Sequence, residues 1–147
     1  MSYYFVEPEV AGGLGESTVM DRSVHPPVVS RLAYRLDGWL GDVLLESFPC
    51  FILTEDAKVA LQAGGFTGVR FEPVEISTSE EFRELSGSQM LPGFVWLVIE
   101  GMPGHDDFGL APDHRLVVSA RALGTLKGLG LAHASIAAWP TGNELPG

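Results

Sequence analysis

The chain has 147 residues, 46% of them hydrophobic, and its 19 acidic against 9 basic residues give a formal net charge of −10. That length fits one domain, residues 1–147, which buries roughly two thirds of its unfolded surface, and the hydrophobic share excludes global disorder. The charge excludes a nucleic-acid binder that works by neutralising phosphates, for which a basic stripe is needed, and suits a basic partner whose approach an acidic surface steers.

The longest apolar run, Phe94-Val95-Trp96-Leu97-Val98-Ile99, is far shorter than the roughly 18 residues a membrane helix needs, so no membrane partner is expected. Met1 to Glu7 carries neither a basic region nor a long apolar one, so no signal peptide is expected and a cytoplasmic location is. The single cysteine, Cys50, excludes an internal disulfide and a multi-cysteine zinc site. Its neighbours Phe48, Pro49, Phe51 and Ile52 predict a buried, unreactive thiol.

In chain order, Tyr3 to Val6 predicts a strand. Gly12-Gly13-Leu14-Gly15 predicts a flexible loop; no Lys-Ser/Thr and no helix follow it, so it is no phosphate cradle. Val28 to Leu36 alternates Leu32, Tyr34 and Leu36 with Arg31, Ala33 and Arg35, the period of a strand covered on one face. Asp37-Gly38 ends it as a turn, and Trp39 to Ser47 is ambiguous between a helical turn and irregular structure.

Phe51-Ile52-Leu53-Thr54 then opens a strand, a hydroxyl cap, a helix stopped at Gly64-Gly65, and a second strand through Val69 and Phe71. Ser77 to Leu85 predicts a short helix or turn capped by Ser77 or Ser79, with Phe82 and Leu85 docking on one face. Phe94 to Glu100 predicts a central strand and Gly101 to Asp113 a loop. Leu116-Val117-Val118-Ser119 opens a second strand–cap–helix–glycine–strand segment, with its helix near residues 120–128. Gly124 and Gly128 each cost that helix roughly 1 kcal/mol relative to Ala, so packing must hold it.

Thr54 and Ser119, Ala57 and Ala122, Leu61 and Leu126, and Gly65 and Gly130 all stand 65 residues apart. The pattern predicts a duplicated strand–helix–strand unit over 51–74 and 116–139, with a loose tail over 141–147. The fold expected is α+β: one domain, one mainly antiparallel sheet and two principal helices. The repeated positions are scaffold residues, which directs attention to the segments between them.

Two such segments carry candidate chemistry. His105, Asp106 and Asp107 with Asp113 and His114 form the densest set of potential metal ligands, but they lack a helical His-x-x-x-His pair or another recognised ligand spacing. In the other, Asp37-Gly38-Trp39-Leu40-Gly41-Asp42, a tryptophan stands among acids and glycines, the composition of an interface anchor or of an aromatic that closes the core. There is no Gly-x-Ser-x-Gly elbow and no base placed toward a nucleophile, so no catalytic residue, metal or cofactor is assigned.

Leu91-Pro92 before a strand, Asp106-Asp107-Phe108 in a loop, and Leu116-Val117-Val118-Ser119-x-Arg121-Ala122 opening a helix that ends in Gly130-Leu131 resemble a group of bacterial immunity proteins encoded beside polymorphic toxins. Phe51-Ile52-Leu53-Thr54 through Gly65-Phe66-Thr67-Gly68-Val69-x-Phe71 looks like the same element, so the likeness covers roughly residues 50–139. The resemblance implies a protein that binds and blocks a cognate toxin, without turnover and without a cofactor. An acidic surface would fit a basic toxin. The expected contacts lie in the loops Asp37–Asp42 and Gly104–Asp113, with Asp37, Trp39, Asp42, Asp106 and Asp107 as candidates. The alternatives are a metal-dependent enzyme using His105, Asp106, Asp107 and His114, and a general protein-interaction module.

Overall fold

A computed structural model describes residues 2–86 and 90–140. They form an α+β fold of twelve strands and three helices. In chain order these are β1 (Tyr3–Glu7), β2 (Gly12–Leu14), β3 (Val19–Asp21), β4 (Val28–Leu36), β5 (Leu44–Ser47), β6 (Cys50–Thr54) and α1 (Glu55–Ala63). Then come β7 (Val69–Glu72), β8 (Val74–Thr78), α2 (Glu80–Ser86), β9 (Phe94–Ile99), β10 (Phe108–Leu110), β11 (Leu116–Ser119), α3 (Ala120–Gly130) and β12 (Ser135–Trp139).

The single sheet expected from the sequence is replaced by three sheets of four strands each. One has the order β5-β6-β9-β7 and a second β10-β11-β1-β12, both antiparallel throughout. In the third, β4 pairs antiparallel with β2 and β3 along one side and parallel with β8 on the other. One sheet could not bury this many apolar residues on two faces; three layers can.

The β6 sheet is the middle layer. Phe51 and Leu53 enter one core with Leu61, Leu97, Phe108, Leu116 and Leu126, beneath α1 and α3. Cys50 and Ile52 enter a second core with Leu32, Tyr34, Leu36, Phe82 and Phe94. A strand covered on both faces has no polar face, which is why Cys50–Thr54 and Phe94–Ile99 are apolar runs without alternation. Residues 32, 34 and 36 of β4 are buried in the second core. Burial pushes the Cys50 thiol up to about 12.

The two segments 65 residues apart share their caps. Thr54 Oγ1 accepts from the Ala57 amide at 3.3 Å, and Ser119 Oγ accepts from the Ala122 amide at 3.2 Å. Beyond the caps they diverge. They lie in different sheets, α1 has 9 residues and α3 has 11, and β7 runs through Pro73 into β8 while β12 ends at Pro140.

Other departures have local causes. Gly12–Leu14 is a strand because Gly12 lets the backbone close on β4: a Cβ there would lie 1.8 Å from the Arg35 carbonyl oxygen. Leu44–Ser47 settles as β5 against β6. Pro73 separates two strands, the second of which, β8, was not expected. Phe108–Leu110 forms β10 inside the expected loop, paired with β11. Ser79 caps α2, with its Oγ 3.1 Å from the Phe82 amide, but only Phe82 docks, leaving Leu85 83% exposed. Residues 141–147, expected to form a loose tail, lie outside the described residues. No helix among the described residues is long and apolar enough to cross a membrane.

Candidate functional site

The loop after β4 is built around Asp42. Trp39 is half-buried in the second core, edge-on to Phe94 at 6.1 Å, and its Nε1 donates to the Asp42 carbonyl at 2.9 Å. The Asp42 side chain points inward and is 2% exposed. It accepts from the Ala132 and His133 amides at 3.1 and 2.8 Å and from His133 Nδ1 at 2.8 Å. These bonds, with Val43 N–H donating to the Gly130 carbonyl, clasp the loop to the C-terminal end of α3. Asp37 stays half-exposed beside Arg35 at 3.8 Å, and Leu40 is 65% exposed.

Burial alone would raise the Asp42 pKa, but the His133 ring and the two amides together hold it below 3.8. The same hydrogen bond holds the exposed His133 ring above 6.5. The signs define a window. Stabilisation through His133 is present below pH 6.5 and lost as pH rises through its folded value; that through Asp42 is present above pH 3.8 and lost as pH falls through its folded value. An NMR titration of the His133 ring is expected to give a midpoint above 6.5, which Asp42→Asn brings back toward the ordinary value.

The second loop is built around Asp107, 9% exposed. Its carboxylate accepts from the Thr67 amide at 3.0 Å, the Ser119 hydroxyl at 2.7 Å, and Arg121 Nε and Nη2 at 3.1 and 3.0 Å. Arg121 also donates to the Gly64 and Gly65 carbonyls at the end of α1, and its guanidinium lies 3.9 Å from the Phe66 ring centroid. One cation thus serves the negative end of α1 and holds the carboxylate that fixes the α3 cap. Asp106, half-exposed, accepts from the Met102 amide at 2.7 Å.

The structure therefore does not bring the five sequence candidates onto one spot. Asp42 lies at the C-terminal end of α3 and Asp107 at its N-terminal end, about 16 Å apart along an 11-residue helix. Asp37, Trp39, Leu40 and Asp106 present surface, while Asp42 and Asp107 turn their carboxylates inward. His133, a partner that makes one of these junctions, carried no signal in the sequence, and Thr67 stood there only within a motif. Ser119 and Arg121 were visible only as a cap and as part of a motif.

The possible metal ligands are dispersed. His114 packs against His25 and Phe48, with ring centroids 6.0 and 6.3 Å away, whereas Asp107 is held by Arg121. Among the described residues no three His, Cys, Asp or Glu side chains converge to hold a metal ion. Phe48 and His114 instead line an apolar groove of about 310 Å³, together with Val29, Cys50, Trp96 and Leu110.

Charge is unevenly compensated. Arg31, Arg35, Arg70, Arg115 and Arg121 each pair with a carboxylate. Glu55 and Asp56 at the start of α1 and Glu80 and Glu81 at the start of α2 are exposed, where they complement the helix dipoles. With so few cations to spare, the surface keeps a surplus of negative charge. The chain matches no protein-family model and has no significant match among curated proteins.

Proposed function

We propose that this chain is an immunity-type protein, which binds a cognate bacterial toxin domain and neutralises it by steric and electrostatic blocking, without turnover. The observation that carries the reading is the surplus of negative charge on the surface. Five of the arginines are already committed to internal ion pairs, so negative charge dominates what a partner meets. Such a surface accelerates encounter with a basic protein, including a toxin that acts on nucleic acid or nucleotides. The place of action under this reading is the cytoplasm.

The contact residues proposed are Asp37, Trp39, Asp42, Asp106 and Asp107. Their roles differ. Asp37, Trp39 and Asp106 meet the partner, aided by Leu40 and Met102, each 65% exposed. Asp42 and Asp107 set the shape of the two loops from within.

The test is binding to the C-terminal domain of a polymorphic toxin encoded immediately upstream, by calorimetry and by rescue of growth on co-expression. Asp37→Asn with Asp106→Asn is expected to slow association about tenfold at low salt, and the difference should shrink as salt rises. Absence of binding and of rescue would sink the proposal. An association rate indifferent to both salt and the double substitution would sink the electrostatic part.

A further inference from the structure

Most of the described strands at sheet edges are short, charged or covered. On β5, Glu46 N–H donates to the Glu9 carbonyl and Leu45 bridges to Glu9, so that edge is covered. β7 carries Arg70 and Glu72 and stops at Pro73. β8 carries Glu75, and β3 is three residues long with Asp21. β10 is also three residues, and a Cβ on its Gly109 would lie 2.4 Å from the Pro103 nitrogen, so a chain segment already runs against it.

β12 is followed by Pro140 as β7 is by Pro73, but it carries no charge, and among the described residues no segment covers its outer side. Ser135-Ile136-Ala137-Ala138-Trp139 is uncharged, contains no proline, pairs with β1 on one side and stands last in its sheet. Residues 135–138 are exposed. An uncharged, accessible edge is a template for strand addition, in which backbone hydrogen bonds supply affinity and neighbouring side chains supply selection.

The surroundings choose the occupant. Glu7 stands opposite Ser135 in the register, and Asp42 binds the two amides just before the strand. Glu9 is electrostatically coupled to Asp42 and His133, and Glu46 to Glu7. Glu7 and Glu9 thus bring negative charge to the N-terminal end of β12, where the His133 ring is already paired with Asp42; the nearest arginine, Arg115, stacks on Phe5 farther along, opposite Ala137. Ala137 and Ala138 leave room beside them for the larger side chains of an incoming strand. Ile136, 36% exposed, lies in register with Val6, which packs in the core beneath α3, and so offers an apolar contact on that side. A second copy would bring its own −10 charge to the same place.

Resting on the binding-protein reading above, we infer that the β12 edge receives an extended strand of the partner protein carrying Lys or Arg where it passes Glu7 and Glu9. Pairing continues the β10-β11-β1-β12 sheet by one strand. This gives the partner a backbone-mediated anchor beside the Asp106 loop, whose Gly104 lies against the Trp139 ring at the end of β12.

The experiment titrates ¹⁵N-labelled protein with three synthetic eight-residue peptides of alternating Val and Thr. One has lysines at two positions, one has glutamates there, and one is the lysine peptide with a central proline. The lysine peptide is expected to shift the amides of residues 135–139 and to give cross-strand contacts to them. The glutamate peptide should bind at least about tenfold more weakly, and the proline peptide should not pair. Glu7→Gln with Glu9→Gln should weaken the lysine peptide several-fold with the thermal midpoint as a check on folding.

The inference is overturned if residues 135–139 stay unmoved, or if the glutamate peptide binds equally well. Broadening of the β12 amides with protein concentration alone would also overturn it, since the occupant would then be a second copy. These peptides contain no toxin, so their failure leaves the toxin reading standing. A toxin domain that does not bind, beside a lysine peptide that does, separates the two in the other direction.

Discussion

Asp107→Ala is expected to lower the free energy of unfolding by about 3 kcal/mol, measured by urea denaturation at neutral pH. The substitution strips the acceptor from the Thr67 amide and from the Ser119 hydroxyl, whose oxygen in turn accepts from the Ala122 amide at the start of α3. Leaving the buried Ser119 hydroxyl without its acceptor accounts for most of the loss, whereas Thr67 is exposed and its amide can turn to water. Arg121 contributes less, because its side chain is 53% exposed and its guanidinium can be hydrated once released.

The pH dependence has a definite sign. Burial raises the Asp107 pKa, but hydrogen bonds from Arg121, Ser119 and Thr67 outweigh it, so the folded value lies below 3.8. Its contribution is therefore present above pH 3.8 and lost as pH falls through the folded value. The wild type should lose stability over that acid range, and Asp107→Ala should not share that part of the loss. Equal acid slopes for the two proteins would show that the carboxylate is not the hub the geometry indicates.

Gly68→Ala is expected to destabilise on the order of 3 kcal/mol or to prevent folding. Two causes add. Gly68 has φ +90°, where a side chain is strained, and a Cβ would lie 2.1 Å from the Phe108 carbonyl oxygen and 3.1 Å from Gly101 Cα. Three chain segments cross at this point, where the Glu100 and Gly101 amides both donate to the Gly68 carbonyl and the Phe108 amide donates to the Thr67 carbonyl. None of these backbones can move without disturbing the β6 or the β11 sheet.

The control is Gly124→Ala on the exposed side of α3. A Cβ there meets nothing within 4 Å, and the change is expected to stabilise by about 1 kcal/mol through helix propensity. The same substitution should thus have opposite signs at the two sites, read as urea midpoints. Two shifts of the same sign would contradict the packing described around Gly68.

Local chemistry was legible in the sequence where it is local in fact. The caps Thr54, Ser79 and Ser119 and the alternation of Leu32, Tyr34 and Leu36 rest on contacts a few residues apart, or on the period of a half-buried strand. Layering was less legible. Phe94–Ile99 announces a strand buried on both faces, but not which two cores it separates, because that depends on segments up to 80 residues away. The short strands β2 and β10 contain glycine and look like loops; only their pairing with β4 and β11 makes them strands.

The candidate site shows the same division. Asp37, Trp39 and Asp106 were chosen for residue type and stand where surface chemistry can use them. Asp42 and Asp107 were chosen on the same grounds, yet each found internal donors. An acidic residue in a glycine-rich loop carries no mark of whether its hydrogen bonds go to solvent or to amides some 40 or 90 residues away in the chain.

The place of β1 in its sheet has a consequence for how the protein is made. Tyr3–Glu7 lies between β11 and β12, with Tyr3 opposite both Ser119 and Trp139. During synthesis this segment leaves the ribosome before both of its neighbours and waits for them, since they emerge about 110 residues later. Until then an apolar strand with two open sides is exposed to whatever the cell offers, and chaperone capture or premature pairing with another chain competes with folding. The interval ends only once residue 139 has cleared the exit tunnel, so slowing translation late in the message should burden this protein far more than slowing it early.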